Sequence, residues 1–130
     1  MCSKDRYLYL SISAFLCFLA VALGAFGAHG LRKVLSDYYL DVFKTGNYYH
    51  FIHSLAILVL LGQKVSHSLP SIKRIIQLFL AGIVIFSGSL YILATTGISI
   101  FGMITPIGGF CFLIAWFWLG LAFYKQFKKA

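Results

Sequence analysis

The segment from Tyr7 to Ala28 is a run of about 22 residues without a charged side chain. An α-helix of this length covers the roughly 30 Å hydrocarbon core of a bilayer. The chain of 130 residues is 61% hydrophobic and only 11% charged, so one small soluble core could not bury its apolar surface. The run therefore predicts a membrane protein with a helix that crosses the lipid.

Three further apolar stretches follow, and each is bounded by polar or basic residues. Together they predict an all-α membrane protein in which four transmembrane helices form a bundle, as a single integral membrane domain over 1–130. The predicted spans cover about 7–28, 47–63, 75–97 and 104–124.

Residues 32–44, RKVLSDYYLDVFK, have a different pattern. Pairs of apolar or aromatic residues recur every four positions, while Lys33, Asp37 and Asp41 lie on the opposite side. This pattern is typical of a short amphipathic helix in the headgroup plane, here between spans one and two. A connecting helix packed on the end of the bundle would show the same pattern. The residues Thr45 to Asn47 predict a break before span two.

The net charge of +8 comes from 11 Lys and Arg against 3 Asp. Because the bases flank apolar runs, they predict membrane orientation, and no nucleic acid is expected as a partner. If the four spans alternate, eight bases lie on the side of both termini and three on the other side. The positive-inside rule then places the N- and C-termini in the cytoplasm.

Small residues recur at helical spacing near the end of span one, at Ala20, Gly24 and Gly27. Such a stripe lets a second helix approach closely. The same packing role is predicted for Gly88, Gly108 and Gly109 in the later spans.

The candidate functional residues are the polar side chains that four helix ends would bring to one half of the bundle. Tyr49, His50 and His53 share a helix face, and His53 and Tyr91 would both lie roughly 9 Å below the outer surface. The candidate ligand-binding set is His29, Thr45, Tyr49, His53, Ser87, Tyr91, Thr95 and Thr105.

Several kinds of chemistry fit such a cluster. The imidazoles and hydroxyls could join helices by hydrogen bonds alone, or they could bind a small ligand. His29 and His53, and with less support His50, could hold a metal ion or haem in a redox protein. A small transporter is less favoured, because the inner half of each span has few polar residues. No catalytic set and no particular cofactor is predicted.

Four ordered motifs, GAFGAHGL at 24–31, FKTGNYYHFIHSLAIL at 43–58, FSGSLYILATTG at 86–97 and ITPIGGFCFLIAW at 104–116, carry a resemblance to a known family. The chain resembles the small membrane proteins of domain of unknown function 423 (DUF423, UPF0382), which include animal transmembrane protein 256. The resemblance implies a multi-span membrane protein, located in the inner membrane in bacteria, and brings no established activity. His50 and Ile52 depart from the family pattern, so a ligand role is favoured for His29 and His53 over His50.

The function predicted from these features is a non-enzymatic membrane module. It would bind a small ligand or lipid through the polar cluster, or support a partner protein. The expected partners are the lipid bilayer and either a second copy of the chain or another membrane protein.

Overall fold

The computed structural model describes residues 1–129, except for the side chains of Val65 and His67. The described chain is almost entirely helical, which confirms the predicted all-α fold. Its elements are α1 (Ser3–His29), a 3-10 turn (Leu31–Lys33), α2 (Asp37–Gly62), α3 (Lys64–His67), α4 (Ile72–Gly82), a π turn (Ile83–Ser87), α5 (Gly88–Thr96) and α6 (Ile100–Phe127).

The helices form a bundle whose outer surface is hydrophobic, with Phe15, Phe18, Val84 and Phe117 each 70–73% exposed. Three described segments are long and apolar enough to cross a membrane, namely Ser3–Lys33, Ile72–Thr96 and Ile100–Phe127. The fourth long helix, α2, contains 26 residues. It is less apolar because its first half carries the Asn, Tyr and His residues of the candidate site.

Long helices that follow one another in the chain run antiparallel, so both termini lie at the same end of the bundle. Arg6 of α1 donates from Nε to the carbonyl of Leu61, at 3.1 Å. Lys73 of α4 pairs with Asp5 of α1, at 2.8 Å. The side-chain amide of Gln126 in α6 donates to the carbonyl of Ser68, at 3.3 Å. We call this the terminal end, and the opposite end, with residues 30–36 and 97–99, the connection end.

The main core lies between α2, α4 and α6 at the middle and terminal end. It contains Ile57, Leu61, Ile75, Ile76, Phe79, Phe112 and Ala115. Helix α1 joins the bundle through a narrow seam, because only Ser13, Ala20 and Gly27 are buried along it. These small residues recur every seven positions and allow α1 to lie close to α2.

The structure corrects the prediction of a separate amphipathic helix over 32–44. The predicted break at Thr45 to Asn47 does not occur, and residues 37–62 form one helix with Ser36 as its N-cap. A tertiary contact explains the difference, since Gly46 packs against Leu90 of α5. The Thr45 hydroxyl meanwhile donates to the carbonyl of Asp41 within the same helix. The alternative, packing on the bundle end, is observed: the start of α2 supplies Leu40 and Phe43 to a second core cluster with Leu31 and Ala94.

A π turn interrupts the third long helix where it meets α6. The amide of Gly88 donates to the carbonyl of Ile83, five residues earlier. Beside it, Gly108 of α6 lies so near the backbone of Phe86 that an added Cβ would overlap it. The close approach brings Phe86 of the π turn into contact with Tyr49 of α2 and Phe112 of α6.

Candidate functional site

His53 is held among four aromatic side chains, those of Tyr49, Phe79, Phe112 and Trp116, and is only 4% exposed. Its ring lies parallel to that of Phe112, with centroids 3.6 Å apart and an interplanar angle of 10°. Nδ1 lies 2.8 Å from the carbonyl of Tyr49, and Nε2 lies 3.2 Å from the indole nitrogen of Trp116. The indole N–H can only donate, so Nε2 accepts and Nδ1 carries the proton of a neutral ring. Both ring nitrogens of His53 therefore form hydrogen bonds with other groups of the protein.

Around His53 lies an open groove of about 370 Å³ between α2 and α6. We call it the aromatic groove; its lining is Tyr49, His53, Phe86, Pro106, Gly109, Phe110, Phe112, Leu113 and Trp116. Pro106 lies inside α6 and cannot donate to the carbonyl of Gly102, while Gly109 adds no side chain to the groove wall. The result is a mostly apolar groove with a few polar atoms, which is the usual character of a small-molecule site.

Asn47, His50 and Tyr91 form a second polar cluster, between α2 and α5. The hydroxyl of Tyr91 lies 3.2 Å from the Asn47 amide nitrogen and 3.1 Å from Nδ1 of His50. The Asn47 amide also donates to the carbonyl of Ala20, at 2.7 Å, so the cluster joins α1, α2 and α5. Nε2 of His50 is buried and has no hydrogen-bond partner.

His53 and Tyr91, which were predicted to lie at the same depth, have different partners. Tyr91 faces Asn47 and His50, whereas His53 faces Trp116 on α6. Although His50 and His53 lie only three residues apart on α2, His50 contacts Tyr91 on α5 and His53 contacts Trp116 on α6. The single predicted cluster is therefore two sites on two sides of α2.

Hydroxyl groups on α5 and α6 form a third polar contact. The hydroxyls of Ser89 and Thr105 lie 2.7 Å apart, and Thr105 also donates to the carbonyl of Phe101. Ser87 is 1% exposed and its hydroxyl has no partner. Thr105 and Ser87 thus lie in the helix interface, outside the groove lining.

Three predicted site residues lie away from these clusters. His29 is exposed at the end of α1, and the pairing of Gly27 with Phe43 puts it about 18 Å along the bundle from His53. Thr45 and Thr95 are exposed, and their hydroxyls donate to the carbonyls four residues earlier in their own helices. His29 and His53 therefore share no metal or haem site, and the described residues contain no group of three His, Cys, Asp or Glu that could bind a metal ion.

The glycines assigned to helix packing differ in what surrounds them. An added Cβ would meet Asn47 at Gly24 and Phe43 at Gly27, both on α2. At Gly109 the nearest atom would be 3.8 Å away, an ordinary contact distance. Gly88 makes no close approach, since a Cβ there would meet nothing within 4 Å, so the packing role predicted for it is wrong.

Sequence reasoning did not assign Phe86, Phe112 and Trp116 to the site. A tryptophan in the middle of a span was an available signal, because tryptophans in membrane proteins favour the lipid–water interface. Trp116 lies nine residues before Lys125, well inside the apolar run. Its indole N–H needs an acceptor within the protein, and His53 provides it.

The helical bundle, its three strongly apolar helices and its hydrophobic exterior define a small integral membrane protein. The chain belongs to the DUF423 family, described as a protein of unknown function, whose model matches residues 23–109. This confirms the resemblance drawn from the four motifs.

The curated relatives are uncharacterised membrane proteins of bacteria. UPF0382 membrane protein YwdK of Bacillus subtilis (strain 168) is 47% identical over 119 residues, covering 90% of this chain and 96% of the relative. A UPF0382 membrane protein of Staphylococcus aureus (strain bovine RF122 / ET3-1) is 42% identical over 91% of this chain and 96% of its own. One of Haemophilus influenzae is 40% identical over 95% and 97%. No solved structure is significantly similar.

Proposed function

We propose that the protein is a non-enzymatic membrane module that binds a lipid chain or another small hydrophobic molecule in the aromatic groove. The observation that carries this proposal is the groove itself, a space of about 370 Å³ whose wall is fixed by the contacts of His53 with Tyr49, Phe112 and Trp116. A site that is already ordered loses little conformational entropy when a ligand binds.

The composition of the groove supports an apolar or amphipathic ligand. Aromatic faces provide most of the lining, and both nitrogens of His53 are engaged in protein hydrogen bonds. An imidazole in this state is a poor metal ligand and a poor general base, because either role requires a free ring nitrogen. The groove therefore favours binding over redox chemistry or catalysis.

The proposal includes a membrane topology. Four helices, α1, α2, α4–α5 and α6, would cross the bilayer of a bacterial inner membrane, with both termini in the cytoplasm. The structure places Lys4, Arg6, Lys64 and the C-terminal lysines at one end, and the positive-inside rule assigns that end to the cytoplasm.

A second candidate function is the support of a partner membrane protein or a second copy of the chain. It is favoured by an open cavity of about 540 Å³ between α1 and α2, lined in part by Gly24, Ala25, Ala28 and Phe51. Small residues on α1 would let the helix of a partner approach closely. Cross-linking in native membranes through Ala25→Cys would test this candidate.

The ligand proposal is tested by filling the groove. A phosphatidylethanolamine probe with a diazirine in its acyl chain is added to the protein in nanodiscs, and labelled peptides are identified by mass spectrometry. We compare Gly109→Leu, which puts a side chain into the groove, with Gly120→Leu, where an added Cβ meets nothing within 4 Å. Labelling of the peptides containing Tyr49 and Trp116 should fall severalfold only in Gly109→Leu.

Equal labelling of the two variants would contradict the proposal, because the probe would then be reporting ordinary lipid contact. Each variant is first checked for an unchanged helical circular dichroism spectrum and gel-filtration volume. If Gly109→Leu does not fold, Leu113→Trp provides a second way to fill the groove from its exposed side.

A further inference from the structure

A second elongated surface runs along α6 towards the terminal end of the bundle. Its apolar part is an open cavity of about 490 Å³ lined by Phe110, Leu113, Ile114, Phe117, Trp118 and Leu121. Its polar part is a cavity of about 300 Å³ lined by Leu69, Pro70, Ser71, Trp118, Leu121, Ala122, Lys125, Gln126 and Lys129. The two cavities share Trp118 and Leu121 and so form one continuous groove, which we call the α6 groove.

The dimensions of the α6 groove match those of one leaflet of a membrane. From Phe110 to Leu121 the helix rises about 17 Å, close to half of the roughly 30 Å hydrocarbon core, and these hydrophobic side chains occupy the part nearer the bundle centre. The lysines lie at the end where the headgroups begin. Trp118 lies between the two parts, where an amphipathic indole is commonly found in membrane proteins.

The charges at the polar end favour an anion. Lys125 and Lys129 are four residues apart on α6 and line the same cavity. Ser71 begins α4, and the helix dipole adds positive potential at this point. None of the residues that line this cavity is acidic, and the nearest acid in the sequence at this end, Asp5, is paired with Lys73 at 2.8 Å.

The wall of the cavity is held in place by the protein. The Gln126 amide donates to the carbonyl of Ser68, which fixes α6 against the segment that leads into α4. Leu69 and Ile72 of that segment are each 2% exposed. The basic cavity is therefore formed by two anchored elements rather than by one exposed helix.

We propose that the α6 groove binds one anionic phospholipid, with its phosphate at Lys125 and Lys129 and an acyl chain along Phe117 and Leu121. The apolar length selects a lipid over a free phosphate, and the basic end selects an anionic headgroup over a zwitterionic one. The basic end of the site is separate from the aromatic groove. The two grooves share Phe110 and Leu113, but the lysines lie about 20 Å further along α6.

The test is native mass spectrometry of the full chain, released from nanodiscs that contain equal amounts of phosphatidylglycerol and phosphatidylcholine. Lys125→Gln/Lys129→Gln is compared with Lys4→Gln/Lys128→Gln, which removes the same charge at the same end. Lys128 lies over the ring of Tyr124, at 4.9 Å, and does not line the cavity. We expect the first variant to lose retained phosphatidylglycerol by about fivefold for each lysine, and the control to stay within twofold of the wild type.

Several outcomes would overturn the proposal. Equal loss in both double variants would mean that general surface charge attracts the lipid. Equal retention of the two lipids by the wild type would mean that the protein does not select an anionic headgroup over a zwitterionic one. Displacement of the lipid by millimolar glycerol phosphate would mean that the ligand is a free anion.

The acyl part of the site has its own variant. Phe117→Gln would place a polar amide in the apolar part, away from the lysines, and should lower retention of phosphatidylglycerol at least fivefold; unchanged retention would contradict a bound chain. Gly109→Leu, which fills the aromatic groove, should leave retention unchanged. Failure of one site is thereby distinguished from failure of the other.

Discussion

The indole of Trp116 donates a hydrogen bond to Nε2 of His53 over 3.2 Å and thereby joins α6 to α2. The same imidazole is fixed on its other side by the carbonyl of Tyr49. One histidine thus holds two helices and forms part of the wall of the aromatic groove. Its burial is tolerated because every polar atom of the ring has a partner.

The link between Trp116 and His53 can be measured with a double-mutant cycle. His53→Phe, Trp116→Phe and the double variant are compared with the wild type by unfolding in mixed detergent micelles. We expect a coupling free energy of about 0.6 kcal/mol and at most ~1.7 kcal/mol, the range found for hydrogen bonds between membrane helices. Fully additive effects would show that the two side chains do not stabilise each other.

The Tyr91 hydroxyl is expected to stabilise the second polar cluster, which it forms with Asn47 and His50. Tyr91→Phe removes a hydroxyl that contacts both the half-buried Asn47 and the buried His50, so each of these side chains loses a partner. The free energy of unfolding should fall by about 1–3 kcal/mol. Tyr124→Phe, at a position 54% exposed, is the matched control and should change it by less than about 0.5 kcal/mol. A Tyr91→Phe variant as stable as the control would refute this role.

Gly108 and Gly88 should respond in opposite ways to the same substitution. Gly108→Ala forces a Cβ against the backbone of Phe86 and should lower the thermal unfolding midpoint, with a cost of about 1–3 kcal/mol. Gly88→Ala meets no atom within 4 Å, so the higher helix propensity of alanine should make it neutral or stabilising by up to ~1 kcal/mol. Equal destabilisation by both changes would argue against the close approach of α6 to the π turn.

The two ends of the bundle should differ in their accessibility from outside the cell. In a chain whose native cysteines are replaced by alanine, Val34→Cys reports the connection end and Ser68→Cys reports the terminal end; both positions are exposed. A membrane-impermeant maleimide applied to intact spheroplasts should label only Val34→Cys. Labelling of Ser68→Cys alone would invert the proposed orientation, and labelling of both would contradict a sealed bilayer between them.

The fold class followed from hydrophobic length, while details of the helices depended on contacts. Runs such as Tyr7 to Ala28 must be helical in lipid, because no other spanning structure satisfies the backbone of a single segment. The predicted break at Gly46 was wrong because this glycine is held within α2 by Leu90 on a neighbouring helix. Local propensity carries no information about such a partner. The π turn was missed for the same reason, since it changes backbone hydrogen bonds without changing hydrophobicity.

The candidate site could be placed on the right helix but not on the right faces. The spacing of Tyr49, His50 and His53 gives their positions along α2. The sequence does not show how α2 is rotated about its axis against its neighbours, because the rest of the helix after Ser54 is apolar on every side. The structure directs His50 to Tyr91 and His53 to Trp116. From the sequence, His53 and Tyr91 were predicted only to lie at the same depth along the bundle. The packing of whole helices determines that they face different partners.

The π turn at Ile83 to Ser87 also determines where this helix can lose a residue without disturbing the rest of the bundle. A π turn holds one residue more than the α turn it replaces, and the surplus is absorbed locally. Deleting a single residue there should restore regular α-helix while Ser89 still meets Thr105. A deletion two turns further on would rotate the rest of the helix out of register. Relatives that differ by one residue in this helix would therefore be expected to carry the gap at this turn.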